Sequence, residues 1–90
     1  MTTLYSRNTK VETAPMTGET VLFNPDNNKF CVLNATASII WQILDQPRTV
    51  DEVAIKLTEH FSNVDYVKAE QDTLRALIEL DKIGFVKCGN

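Results

Sequence analysis

Few residues of this 90-residue chain have the chemistry that catalysis requires. Cys31 and Cys88 are its two thiols, and His60 is its one imidazole. A catalytic nucleophile needs a base within hydrogen-bonding distance and a third group that orients the base. Cys31 lies in an apolar stretch and Cys88 near the C-terminus, while His60 falls at a predicted helix end, where positive charge is favourable. The sequence predicts no catalytic residue, and a small enzyme is the most remote interpretation.

Metal and cofactor sites have equally little support. The cysteines form no Cys-x-x-Cys pair, and Asp26-Asn27-Asn28 lacks the glycine and terminal glutamate of a calcium loop. Gly18, Gly84 and Gly89 are too far apart for a phosphate-binding loop. Acidic pairs such as Asp51-Glu52 fall at predicted helix starts, where a solvent-exposed position explains them better than acid–base catalysis does. We expect no metal and no cofactor.

The length and composition are those of one ordinary globular domain. The chain has 43% hydrophobic and 23% charged residues, and nine basic against twelve acidic residues give a net charge of −3. Partners such as nucleic acid or an anionic membrane surface require clustered positive charge, so this balance weighs against both. Residues 1–10 contain no signal-peptide apolar run, and no segment has 18 consecutive apolar residues. We expect a cytoplasmic protein.

The first part of the chain has strand-like patterns. Val11–Ala14, Thr20–Phe23 and Lys29–Leu33 are rich in β-branched or aromatic residues and are separated by turn formers. Met16–Gly18 forms the first predicted turn and Asn24–Asn28 the second. Such short connections favour antiparallel neighbours, which predicts a three-stranded meander with the third strand at its edge.

Helical spacing replaces alternation after the third strand. Three residues with N-cap chemistry each precede a helical apolar pattern: Asn34, Thr49 and Asp65. The first helix is predicted over residues 35–45, and the third extends to about residue 82. The fold class is therefore α+β and winged-helix-like, with a three-stranded antiparallel sheet followed by three helices.

The terminal segments are predicted to lie outside this domain. Residues 1–10 are expected to be a flexible N-terminal tail, and residues 87–90 a short C-terminal tail, because chain ends fray unless they are tied down. The predicted domain spans residues 11–86.

An exposed edge strand offers a binding function. An extended peptide can add to Lys29–Leu33 as a further strand, with its backbone providing affinity and flanking pockets providing specificity. On the third helix, Leu74 and Ile78 lie on an apolar flank beside the main core stripe, and they would line one wall of the resulting groove. Periodicity alone is equally compatible with a role for both residues in the core or in a dimer contact.

A DNA-binding winged helix is the alternative use of the same elements. Four residues of the third helix would then face the nucleic acid: Leu74, Arg75, Ile78 and Lys82. From Tyr66 to Ile83 the chain has three basic residues (Lys68, Arg75, Lys82) against four acidic ones (Glu70, Asp72, Glu79, Asp81). A helix with net negative charge is poorly suited to phosphate contact, so peptide binding is the preferred interpretation.

Three segments in order resemble one known family: VLFNPDNNKFCVLNATASIIWQIL, RTVDEVAIKL and DTLRALIELDKIGFV. The features shared with the family are a strand ending in Leu-Asn, a small-residue helix start, an Ile-Trp pair, a Thr-Val-x-Glu turn and a closing Gly-aromatic-Val. Here these are Leu33-Asn34, Thr36-Ala37-Ser38, Ile40-Trp41, Thr49–Glu52 and Gly84-Phe85-Val86. Over residues 11–86 the sequence is similar to the PqqD-like family, the recognition elements for ribosomally synthesised, modified peptides.

This resemblance implies a peptide-binding protein that is not itself an enzyme. Members hold the leader segment of a precursor peptide and deliver it to a separate maturation enzyme, a radical SAM enzyme or a leader peptidase. The leader adds to the third strand and lies against the third helix. Carried over by position, the resemblance points to ten residues: Lys29, Phe30, Cys31, Val32, Leu33, Leu74, Arg75, Ile78, Asp81 and Lys82.

Overall fold

The structure, a computed structural model, describes residues 3–17 and 19–89. Over these residues the elements follow in the order β1 (Leu4–Arg7), β2 (Glu12–Met16), β3 (Glu19–Asn24), β4 (Lys29–Leu33), α1 (Ala35–Ile43), α2 (Val50–His60), α3 (Tyr66–Lys82) and β5 (Val86–Gly89). The predicted turn at residues 16–18 includes Gly18, which lies outside the described residues. The α+β fold class, with three antiparallel strands followed by three helices, is confirmed.

The predicted meander is the main sheet, with strand order β2-β3-β4. Leu22 on β3 is directly opposite Thr13 on β2 and Cys31 on β4. One face of β3 is buried against the helices through Thr20, Leu22 and Asn24. Within the described part of the chain β4 is paired only with β3, which confirms its predicted position at the edge of the sheet.

The terminal segments differ from their prediction as flexible tails. Leu4–Arg7, within the predicted tail 1–10, pairs antiparallel with Val86–Gly89, which includes most of the predicted tail 87–90. Tyr5 also exchanges two backbone hydrogen bonds with Arg48, at 2.8 and 3.0 Å. The prediction of frayed ends was therefore wrong for these residues. Each strand is short and weakly patterned alone, and only pairing across the whole chain stabilises it.

The predicted helix starts are confirmed by their capping hydrogen bonds. Asn34 Oδ1 accepts from the Ala37 amide at 2.9 Å, and Asp65 Oδ1 accepts from the Lys68 amide at 2.9 Å. Thr49, the predicted cap of the second helix, makes a complete capping box with Glu52. These caps fix where each helix begins and therefore which residues face the sheet. Among the described residues, none of the three helices has the length and apolar character needed to cross a membrane.

A single hydrophobic core lies between the main sheet and the helices. Its most completely buried large side chains include Phe85, Leu22, Ile40, Leu57 and Leu77. Phe85 enters this core directly after a turn in which Gly84 has a φ of 80°, a conformation that favours glycine. The core thus holds β4 on one side and α3 on the other in fixed positions.

Candidate functional site

A groove of about 190 Å³ separates the edge strand β4 from the helix α3. Its lining residues come from β4, from the start of α1 and from one face of α3: Cys31, Val32, Leu33, Asn34, Ala37, Ala76, Glu79, Leu80 and Ile83. Most of these side chains are apolar or small, and Glu79 supplies the one charge. Such a lining suits an extended chain with modest apolar side chains.

A second hollow of about 230 Å³ continues this groove along α3. The two share the residues Asn34, Ala37, Ala76 and Glu79. The second hollow is more polar, because it also includes Asp72 and Arg75 from α3. Together they form one channel, which we call the β4–α3 groove.

Small side chains explain why the groove is open. Ala37 on α1 and Ala76 on α3 both line it, and neither extends beyond Cβ. Four lining residues fall at a helical spacing of i, i+4, i+7 and i+11, three on α3 and the last at its C-cap: Asp72, Ala76, Glu79 and Ile83. This face was not predicted from the sequence because Asp72 and Glu79 give it the charged character of a solvated helix surface. Two small residues could have indicated the groove from the sequence. Ala37 lies just after the capped start of α1, and Ala76 lies on α3 beside the buried Leu77.

The structure brings together only some of the sequence-predicted site residues. Cys31 and Leu33 line the groove, and Arg75 lines its polar extension. Val32 also borders the groove at the strand edge, although strand alternation places its side chain on the other face of the sheet. Leu74 and Ile78 are exposed, which contradicts the alternative that they complete the core, and they are not among the lining residues of the groove. At 3.6 residues per turn, Leu74, Ile78 and Asp81 lie more than about 100° around α3 from the Ala76–Glu79 face. Lys82 is exposed and is also not among the lining residues.

Side chains of β4 alternate between the two faces of the sheet. Leu33 is buried and Cys31 half-buried on the groove side, while Phe30 and Val32 are exposed on the opposite side. Lys29 begins the strand and is exposed. On an edge strand, alternate amides and carbonyls point away from the neighbouring strand. Among the described residues β4 is paired on one side only, and it therefore presents backbone hydrogen-bonding groups next to an open groove.

The electrostatics of the groove disfavour nucleophilic chemistry. Burial, with a smaller contribution from the negative charge of Glu79, raises the pKa of the Cys31 thiol. A thiol is the unreactive form of cysteine, so Cys31 behaves as a small apolar residue at neutral pH. Asp72 is in ion pairs with Lys68 at 3.6 Å and Arg75 at 3.9 Å, whereas Glu79 has no salt bridge within the described residues.

Other residues with potential chemistry lie elsewhere. His60 is the last residue of α2 and contacts the Phe61 ring edge-on, with centroids 5.4 Å apart. Cys88 is exposed on β5, opposite Tyr5. Within residues 3–17 and 19–89, no three side chains of the metal-ligating types are grouped closely enough to hold a metal ion.

Fold and groove together define a winged-helix-like α+β domain with a free edge strand beside a helix. The sequence profile described as Coenzyme PQQ synthesis protein D (PqqD) matches residues 19–86. This chain belongs to the PqqD family.

Two solved structures share the fold over nearly their entire length. One is "TbiB1 in Complex with the TbiA(beta) Leader Peptide", with a TM-score of 0.81 and 22% identity over 91% of this chain and 94% of that chain. The other is "Lasso peptide synthetase B1 complexed with the leader peptide", with a TM-score of 0.77 and 25% identity over 92% of this chain and 96% of that chain. Comparison with curated protein sequences gave no match.

Proposed function

We propose that this protein binds the leader segment of a ribosomally synthesised precursor peptide and presents the peptide to a separate maturation enzyme. The leader adds antiparallel or parallel to β4 as a fourth strand and places alternate side chains in the β4–α3 groove. The observation that carries this proposal is the unpaired edge of β4 directly beside that groove.

Membership of the PqqD family and the similarity to both structural neighbours support the proposal. Each neighbour is a protein of the same fold in complex with a leader peptide. Of the ten residues predicted from the resemblance, we propose that those of β4 and Arg75 contact the peptide, since Cys31, Val32, Leu33 and Arg75 line the groove or its extension. The contribution of the other four, Leu74, Ile78, Asp81 and Lys82, stays a prediction, because they are not among the lining residues.

An adaptor role accounts for the poor supply of catalytic groups. The thiol in the groove has a raised pKa, and the imidazole of His60 lies at the end of α2. We therefore infer that the chemistry is performed by a partner, a radical SAM enzyme or a leader peptidase, and that the complex acts in the cytoplasm.

DNA binding is the less favoured function because the cations of α3 are already partly neutralised. Lys68 and Arg75 both pair with Asp72 on the same helix. Surface ion pairs of this kind are weak, but they lower the positive potential available to phosphates.

Fluorescence anisotropy with a labelled synthetic leader peptide, encoded next to the gene for this protein, tests the proposal. We expect saturable binding in the micromolar range or tighter. Methylating the peptide backbone nitrogens one at a time should weaken binding at every second position, because alternate amides of an added strand donate to β4.

Two outcomes would contradict the proposal. Absence of saturable binding to every adjacent precursor would reject leader recognition. Binding that is insensitive to N-methylation would reject strand addition. A duplex DNA probe serves as the comparison, and tight binding to it that weakens steeply with salt would favour the DNA-binding alternative.

A further inference from the structure

The sheet face opposite the groove carries an exposed apolar row that ends at the free edge. Phe30 and Val32 on β4 are 69% and 59% exposed. Behind them on β3 lie Phe23 and Val21, which are their directly opposed partners in the strand register. The Phe23 and Phe30 rings are in contact, with centroids 4.6 Å apart. We call these four residues the outer row.

Exposed apolar side chains of this size are unusual on an edge strand. Natural edge strands are commonly protected from unwanted pairing by charged residues, proline or a bulge. In β4 the one charged residue is Lys29, at the start of the strand, and proline is absent from it. The outer row therefore has the character of a surface that another chain covers.

The geometry of strand addition indicates what that chain is. A strand paired with β4 would lie about 4.8 Å away, with its side chains alternating between the two faces. Those on the groove side would meet Cys31 and Leu33. Those on the other side would have their Cβ atoms about 5 Å from Phe30 and Val32, close enough for cross-strand contact.

A second copy of this protein is a poorer occupant of the same edge. Each copy carries α3 beside its β4, with Glu79 in the groove and without a salt bridge among the described residues. Two copies joined edge to edge would bring two helices of net negative charge towards each other. A single extended peptide has no such helix.

We infer that the outer row is a second recognition surface for the bound peptide. It selects leader segments with large apolar side chains at positions i and i+2 on the face away from the groove. The inference rests on the proposed function, because it requires a peptide strand on β4. The recognised segment is then apolar on both faces of the strand.

The test replaces Phe30 and Val32 together by threonine, which keeps a high β propensity while removing apolar surface. The matched control is Met16→Thr on β2, at the opposite edge of the sheet and equally exposed at 60%. With the labelled leader peptide, we expect the Phe30→Thr/Val32→Thr variant to bind at least about tenfold more weakly. The affinity of the control variant for the peptide should stay within about twofold of that of the parent protein, because a substitution remote from the interface does not change the interface contacts.

The outcomes separate this inference from the proposed function. If N-methylation weakens binding at alternate positions but the double variant binds as tightly as the parent, strand addition stands and the outer-row inference is wrong. If saturable binding is absent, the proposed function itself fails, and if binding is insensitive to N-methylation, strand addition is rejected and the outer-row inference with it. If sedimentation shows a dimer that the double variant abolishes while peptide affinity is unchanged, a second copy covers the row and the inference is overturned.

Discussion

The guanidinium of Arg7 lies over the indole ring of Trp41, with its central carbon 4.8 Å from the ring centroid. The same side chain donates from Nε to the Trp41 carbonyl oxygen at 2.9 Å. Trp41 Nε1 in turn donates to Thr13 Oγ1 at 3.1 Å. These contacts connect β1, β2 and α1, and they anchor the N-terminal strand to the core.

Arg7→Ala should therefore destabilise the protein. The substitution removes the cation–π contact and the guanidinium donor to the Trp41 carbonyl oxygen, which then accepts, among the described residues, only from the Leu44 amide at 3.2 Å, at a cost of about 1–3 kcal/mol. Urea denaturation followed by the fluorescence of Trp41, the one tryptophan, measures the change. Arg48, also half-buried, donates to a different carbonyl, that of Ile43, so Arg48→Ala should destabilise without altering the native Trp41 emission. An Arg7→Ala protein as stable as the parent would contradict this account.

Gly84→Ala is expected to lower the free energy of unfolding by about 1 kcal/mol. The reason is conformational, because φ at this position is 80°. An added Cβ would meet only the side-chain amides of Asn24 and Asn27, at an ordinary 3.7 Å. Gly89→Ala is the matched control, since a Cβ there would have no neighbour within 4 Å. Equal stabilities of the two variants would mean that the backbone at Gly84 is not strained by a side chain.

Thr73→Val should leave the stability unchanged or increase it by about 1–2 kcal/mol. Thr73 is fully buried on α3, and its hydroxyl has no hydrogen-bond partner among the described residues. Valine has nearly the same shape without the unsatisfied oxygen. Thermal and urea unfolding measure the effect, and Thr58→Val is the comparison because the Thr58 hydroxyl does donate, to the Ile55 carbonyl. A marked loss of stability in Thr73→Val would indicate an unrecognised partner for the hydroxyl.

Glu79→Gln should lower the pKa of the Cys31 thiol, although burial keeps that pKa above its ordinary value. The rate of iodoacetamide alkylation against pH measures this pKa, in a Cys88→Ser background that removes the exposed thiol. Since the folded-state pKa is raised, Cys31 contributes stability below its unfolded pKa of about 8.5, and this contribution is lost as the pH rises above that value. Glu79→Gln should make this loss smaller. An unchanged pH profile of alkylation would mean that the charge of Glu79 does not affect the pKa of Cys31.

Ala76→Leu should weaken leader-peptide binding by about tenfold, because the larger side chain fills part of the groove. Gln71→Leu places the same side chain at an exposed position of α3 and is the control for helix stability. Ile78→Ser tests the other face of α3, which was predicted from the sequence to line the groove. We expect this variant to change peptide binding only slightly. If Ile78→Ser weakens binding strongly and Ala76→Leu does not, the peptide binds at the Leu74–Ile78 face of α3 instead.

The features that the sequence predicted correctly depend on neighbouring residues. The Asn34 cap, the Thr49 cap and the strand Lys29–Leu33 are each specified within a few positions. Local hydrogen bonds and alternation suffice to define them. The edge position of β4 followed from short connections that leave little choice of strand order.

The features that the sequence did not predict depend on distant residues. The pairing of Leu4 with Gly89 joins opposite ends of the chain, and neither strand has a strong pattern of its own. The face of α3 that meets β4 is set by the rotation of the helix in the folded core. Ala76 and Glu79 have little in their types to distinguish them from solvent-facing residues, so the groove wall could not be located from α3 alone.

The direct pairing of Leu4 with Gly89 means that the polypeptide enters and leaves this domain at nearly one point. Partners opposed in an antiparallel pair have Cα atoms about 5 Å apart, a gap that a very short linker spans. We therefore expect circular permutants joined there, with new ends in the exposed turn after Asn24, to fold. By the same geometry the domain could be inserted into a surface loop of a larger enzyme without separating the two sides of that loop. Such a tether would convert peptide capture into a high local concentration of substrate for the host enzyme.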